Sequence, residues 1–289
     1  MTLTNKEVAK VLFKAYRYKK PIDFISENYQ LNEEEAYHVQ EELIDQLTFK
    51  DRSTVTGYKV SMTSKATQAI ANTNEPAYGT LLSNQIVNDG ASVSLSELFS
   101  PLLEPEIIFI VQEDLPYDAD LETIRYHTRI APGIEIPDAR YKNWFPNFTL
   151  SDLISDNTAT GLVVVGDPVD GLDNDAFANV HLNLYKDDKC IATGESSEVL
   201  GNPLNAIHWL IKKLHTHGKQ LKKGDIITKV DSYAVTDFAD LSMSIGSKRP
   251  GDKVVVNYLR DGKENTTTVT LKDQKGGTST KTKADLSVT

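Results

Sequence analysis

Apolar residues recur at helical spacing in three stretches of the chain. Residues 5–18 set Val8, Val11, Leu12 and Tyr16 on one stripe, which predicts a helix. A second helix is predicted to start at Asn32, a capping residue followed by Glu33, Glu34 and Glu35, and to turn Tyr37, Val39, Leu43 and Leu47 inward. The third covers residues 202–216: Pro203 sits just inside its start, Leu204, Ile207, Leu210, Ile211 and Leu214 form its stripe, and Gly218 ends it.

From Val55 onward the pattern shortens into β-rich runs, TGYKVSM, EIIFIV, GIEI, GLVVVG and VHLNLYKDDKCIATG, separated by Gly, Pro and Asp turns. The last reads as a hairpin with GLVVVG as its neighbour. Beyond Leu221 come a strand (GDIITKV), a short helix (DFADLSMSI) and a hairpin, DKVVVNYLRDGKENTTTVTL, turning at Asp261 and Gly262. Residues 274–289 are polar and rich in Lys, Thr and Gly, and are expected to form a disordered tail.

Composition adds limits. With 289 residues, 39% of them hydrophobic, the chain can bury a sizeable core as one large domain or two smaller ones. The net charge of −10 argues against nucleic acid as a main partner. Charge changes sign along the chain: Lys plus Arg outnumber Asp plus Glu by 12 to 9 after Leu221, against 19 to 32 up to it. That shift marks a boundary between residues 1–220 and a C-terminal segment, 221–273.

The single cysteine, Cys190, excludes an intramolecular disulfide and a cysteine-based zinc cluster, and is expected to be a small buried strand residue. No apolar run reaches the roughly 18 residues that would span a bilayer, and the N-terminal stretch is broken by Lys and Arg, so no membrane partner and a cytoplasmic location are expected. The six histidines are scattered, and His215 and His217 project to different sides. No dinucleotide, P-loop or nucleophile-elbow string occurs.

Candidate chemistry lies in the carboxylates. Glu104 and Glu106 flank Pro105 at the mouth of IIFIV, and residues i and i+2 of a strand share a face. Two carboxylates side by side repel unless a cation neutralises them, and oxygen ligands favour Mg²⁺, Mn²⁺ or Ca²⁺. Glu135 in GIEIPDAR, again on an apolar run, is the natural third ligand. Solvated charges on an edge strand are the alternative.

The strings LEPEIIFIVQEDLP, GIEIPDARYKNWFPNFTLSDLISDN, GLVVVG and VLGNPLNAIHWLIKKLHTHGKQLKKGDII resemble the fumarylacetoacetate hydrolase superfamily, in its branch of 2-keto-4-pentenoate hydratases and 4-oxalocrotonate decarboxylases. The similarity runs to about residue 227. It implies an α/β (α+β) fold with N-terminal helices and a mixed β-roll, Glu104, Glu106 and Glu135 as ligands of Mg²⁺ or Mn²⁺, Lys59 of GYKVSMTSKATQ as the active-site lysine, a small 2-oxo acid substrate, and a homo-oligomer. Hydratases of the branch tend to carry an acidic residue two before the glycine of a PDFG-like string, where NEPAYG has Ala77. Decarboxylation of 4-oxalocrotonate is therefore expected ahead of hydration of a 2-hydroxy-2,4-dienoate.

After LKKGDII the resemblance changes. The family would continue with a Thr-Gly turn beside the substrate, whereas LKKGDIITKVDSYAVTDFADLSMSIGSKRPGDKVVVNYLRDGKENTTTVTL resembles the latter half of a PDZ domain of an HtrA-type protease. The carboxylate-binding loop and the peptide-accepting strand of such a domain are not recognisable upstream, so peptide binding of the PDZ kind is not expected. The join suggests a recombined chain whose C-terminal segment completes the roll or is appended to it. Loss of the Thr-Gly turn sets a rival reading beside the enzyme: an inactive scaffold or interaction protein.

Overall fold

The computed structural model describes residues 4–169, 174–186, 188–229, 253–260 and 263–272. Two N-terminal helices form where their caps stand. α1 (Asn5–Tyr18) starts at Thr4 and α2 (Glu33–Asp51) at Asn32; each cap side chain accepts from the third helical N–H, while Glu7 or Glu35 reaches back to the cap N–H. Val8, Ala9 and Leu12 of α1 meet Val39, Leu43 and Leu47 of α2, with Tyr141, Trp144 and Phe148 closing the cluster.

The strands are β1 (Val55–Ser61), β2 (Ala77–Leu82), β3 (Ile86–Asn88), β4 (Ser92–Ser94), β5 (Glu104–Val111), β6 (Thr128–Ile136), β7 (Leu162–Val165), β8 (His181–Lys186), β9 (Lys189–Glu195), β10 (Ile226–Lys229), β11 (Lys253–Arg260) and β12 (Lys263–Lys272). Between them lie α3 (Lys65–Ile70), α4 (Leu121–Tyr126), α5 (Leu150–Ser155), α6 (Asn174–Ala178) and α7 (Pro203–Thr216). One sheet has the order β2-β1-β10-β5-β6-β7-β3, the other β4-β12-β11-β8-β9. The fold is thus a mixed α/β roll.

Alternation along the strands sorts the two faces of the larger sheet. Tyr58 and Val60 of β1, Ile107, Phe109 and Val111 of β5 and Ile227 of β10 pack against Leu204, Ile207, Leu210, Ile211 and Leu214 of α7. The opposite, inward face carries an apolar floor of Leu81, Ile108, Ala131 and Val163. Outward residues Ile134, Ile136 and Val164 meet Val93 and Leu184 of the second sheet.

Two sequence expectations need correction. The β8–β9 hairpin forms, but β7 (the GLVVVG run) lies between β6 and β3 in the other sheet. Cys190 is on a strand but exposed; among the described strands β9 is the outer one of its sheet, with a neighbour on one side only. The expected helix at 237–245 and the tail at 274–289 lie outside the described residues. The C-terminal hairpin is present as β11 and β12, in register through Arg260↔Lys263. β10 runs parallel to β1 on one side and antiparallel to β5 on the other, while β11 pairs with β8 and β12 with β4. Both sheets therefore draw strands from the segment beyond residue 221.

α7 ends against β2 through an aromatic cluster. The Tyr37 and Tyr78 rings stack at 4.7 Å, and the Tyr78 hydroxyl is 2.6 Å from His217 Nδ1. Burial holds the His217 imidazole below its usual 6.5, against the opposing pull of Glu34. The unfolded chain then takes up the proton first as pH falls, so this contribution to stability is complete above about pH 6.5 and declines below it. Thermal unfolding between pH 7 and 5 should show that decline, and His217→Gln should flatten it; an unchanged slope in the variant counts against the assignment.

Candidate active site

β5 and β6 place three carboxylates by strand geometry alone. Glu104 and Glu106 share a face of β5, and Glu104 stands directly opposite Glu135 on β6. Glu106 and Glu135 are fully buried and Glu104 is half-buried. Each offers an oxygen within 4.8 Å of the others. Gly133 sits opposite Glu106, where an added Cβ would fall 2.3 Å from Ile108 Cδ1, so glycine keeps this face open beside the carboxylates.

Lys59 enters from β1, two places from β5 and three from β6 in the sheet order. The sheet curls enough for its ammonium to lie 2.7 Å from Glu135 Oε1, with both side chains buried. Thr228 of β10, paired in register with Lys59, donates a long hydrogen bond of 3.4 Å to Glu135 Oε2. Burial pushes the Glu135 carboxyl up, and Lys59 and then Thr228 oppose the shift.

The charge count tests whether a cation fits. With all four groups ionised, three carboxylates and one ammonium leave a formal charge of −2. At an effective dielectric of about 20, two like charges 4.8 Å apart repel by roughly 3–4 kcal/mol. A hard divalent cation matches both the charge and the all-oxygen donor set. The chemistry of the site therefore fits such an ion.

On the other side of Lys59 the wall is made by a turn that sequence reading missed. Asn157, Thr158 and Ala159 all have positive φ, 55°, 50° and 54°, a left-handed run that costs about 1–2 kcal/mol per non-glycine residue. It is held from three sides. The Asn157 amide pairs with Thr80 like a strand neighbour, accepting from its N–H at 2.7 Å and donating to its carbonyl at 2.8 Å. Ala159 accepts from the Asp138 N–H at 2.7 Å. Buried Arg140 clamps both ends of the turn, with Nε 2.5 Å from Asp156 Oδ1 and Nη1 donating to the Thr160 and Asp138 carbonyls, while Nη2 donates to the Asp156 carbonyl.

The turn seats on Gly79, the register partner of Lys59. An added Cβ there would lie 2.3 Å from Thr158 Oγ1, 2.6 Å from the Asn157 carbonyl and 2.7 Å from Thr160 Oγ1. Gly79→Ala should cost about 1–3 kcal/mol through overpacking, read as a lower denaturation midpoint; a wild-type midpoint would mean the turn has room to withdraw. The sequence signals available for this wall were the Asp156-Asn157 pair, a combination that tolerates left-handed backbone, and the Gly161 that follows.

Comparison with known proteins agrees with the roll. The chain is 31% identical over 234 residues to the 2-oxo-hept-4-ene-1,7-dioate hydratase of Escherichia coli, covering 78% of this chain and 86% of that protein. It is 33% identical over 201 residues to the 2-keto-4-pentenoate hydratase 1 of Dechloromonas aromatica (strain RCB), covering 68% and 74%. The fold superposes on the 4-oxalocrotonate decarboxylase from Pseudomonas putida G7, solved with magnesium and adipate, with a TM-score of 0.79 at 24% identity over 93% of this chain and 99% of that one. A PDZ domain profile matches residues 215–271, from the end of α7 through β12. The chain is thus a lyase built on a mixed β-roll. It belongs to the hydratase and decarboxylase family of the fumarylacetoacetate hydrolase superfamily, with a PDZ-like C-terminal segment. Among the described residues no helix is long and apolar enough to cross a membrane.

Proposed function

We propose that Glu104, Glu106 and Glu135 hold a divalent cation, Mg²⁺ or Mn²⁺, and that the chain decarboxylates 2-oxohex-3-enedioate (4-oxalocrotonate) to 2-hydroxypenta-2,4-dienoate. The observation that carries this reading is the buried carboxylate cluster with Lys59 at its edge and a formal charge of −2. The distal carboxylate of this substrate is a vinylogous β-keto acid. When its bond to the chain breaks, CO₂ leaves and the electron pair runs through the conjugated carbons to the 2-oxo oxygen. The bound cation supplies Lewis acidity at that end of the substrate. Lys59 would donate a hydrogen bond or a proton to the oxygen where charge develops, with Glu135 holding its ammonium at 2.7 Å. The apolar floor of Leu81, Ile108, Ala131 and Val163 keeps bulk water from the same face.

Hydration of 2-hydroxypenta-2,4-dienoate is the second reading, favoured by the names of the curated relatives. Adding water calls for a proton carrier near the far carbon. The position where hydratases tend to carry an acid is Ala77, buried and two residues from Gly79 on the same strand face. Alanine carries no proton, which supports decarboxylation. The two are separated by following the ultraviolet loss of each substrate with and without Mg²⁺. Faster metal-dependent loss of 4-oxalocrotonate is expected; preference for the dienoate would transfer the assignment to hydration, and turnover of neither would sink the enzymatic reading.

A further inference from the structure

Thr158 is fully buried, and among the described residues its hydroxyl oxygen has no hydrogen-bond partner. A buried hydroxyl left unsatisfied is destabilising, and here it sits on a β-branched residue held at φ 50° and ψ 41°, a second unfavourable choice at one position. Its backbone is fixed by the Asn157 and Arg140 contacts on either side, so the hydroxyl is presented by a rigid support. Its location follows from the register. Thr158 Oγ1 lies over Gly79, Gly79 pairs with Lys59, Lys59 with Thr228, and Lys59 reaches Glu135. Carboxylates, ammonium and hydroxyl thus follow one another across the inward face, with the hydroxyl on the side of Lys59 away from the acidic cluster.

We propose that Thr158 is a substrate-binding residue whose hydroxyl donates to the carboxylate of a 2-oxo dicarboxylic acid that lies farther from the acidic cluster, and so selects diacids over monoacids. This rests on the reading of the cluster as the site that binds the 2-oxo acid end. The chemistry suits a group that leaves as CO₂: a cation beside the departing carboxylate would stabilise the charge it must lose, whereas one neutral hydroxyl orients the group without neutralising it. A diacid running from the carboxylate cluster past Lys59 brings its second carboxylate to the side of the face where Thr158 stands.

The test is Thr158→Val, which keeps the β-branched shape and removes only the hydroxyl. Two saturated probes of equal length differ only at the far end: 2-oxoadipate carries the second carboxylate and 2-oxohexanoate does not. Calorimetric titration of the Mg²⁺-loaded protein should show 2-oxoadipate binding weakened about tenfold or more in the variant, 2-oxohexanoate binding within about twofold of wild type, unchanged Mg²⁺ affinity, and a melting temperature equal to or above wild type. Equal loss for both probes, loss for neither, no wild-type preference for the diacid, or a melting temperature that drops by several degrees each overturns the assignment. Turnover enters none of these readouts. A protein that turned over neither substrate yet showed the selective tenfold loss would defeat the lyase reading and leave the role of Thr158 standing.

Discussion

Glu106→Gln should weaken Mg²⁺ binding by more than about 100-fold, the upper range seen when mere supporting partners of a metal ligand are lost, and should abolish metal-dependent turnover. The amide keeps the shape of the carboxylate but changes the formal charge of the cluster from −2 to −1 and substitutes a weaker donor. Its effect on the metal-free protein has the opposite sign. Each like-charge pair in the cluster, if both are ionised, opposes folding by roughly 3–4 kcal/mol or more at an effective dielectric of about 20, since the oxygens lie within 4.8 Å of one another, so the variant should melt higher than wild type without metal and lose the further rise that Mg²⁺ gives wild type. Titration calorimetry and melting with and without Mg²⁺ read both. Wild-type Mg²⁺ affinity in the variant would remove Glu106 from the proposed ligand set.

Arg140→Ala is expected to give the largest loss of stability, about 3–5 kcal/mol, because it leaves a buried carboxylate without its partner. Asp156 is fully buried; burial already pushes its pKa up to about 6 even with Arg140 pulling it down. Removal of the guanidinium also orphans the Asp138 and Thr160 carbonyls that it serves and leaves the Asp156 carbonyl only the Ala159 N–H. The melting temperature should fall by on the order of 10 °C for a domain of this size. Arg140→Lys should recover little, since an ammonium cannot span this set of acceptors in the plane of the fork. A loss under about 1 kcal/mol in Arg140→Ala would show that the turn holds itself without the clamp.

Much of the fold was legible because it depends on local chemistry. The cap residue Asn32, the stripe of α7 and the Glu104-Pro105-Glu106 alternation each state their geometry within a few residues. What the sequence alone could not show depends on which strands become neighbours. The reach of Lys59 to Glu135 needs a curled sheet with β10 and β5 lying between them. Cys190 is exposed on β9, the outer of the described strands of its sheet, and sheet order is not written in the six letters KCIATG. The left-handed turn at Asn157–Ala159 escaped notice for a different reason: only Asn157 readily takes that backbone, Thr158 and Ala159 do not favour it, and Arg140, Asp138 and Thr80, distant in sequence, impose it.

The place of β10 orders events in the life of the chain. Without it, β2 and β1 on one side and β5, β6, β7 and β3 on the other have no shared edge in the larger sheet. A nascent chain that has emerged only as far as α7 therefore carries Lys59 and the three glutamates on separate ribbons. The ribosome must deliver residues 226–229 before lysine and carboxylates are joined through one sheet. If the three glutamates hold an ion as proposed, a chain trimmed before residue 226 keeps that cluster on β5 and β6 but has no β10 to join it to Lys59.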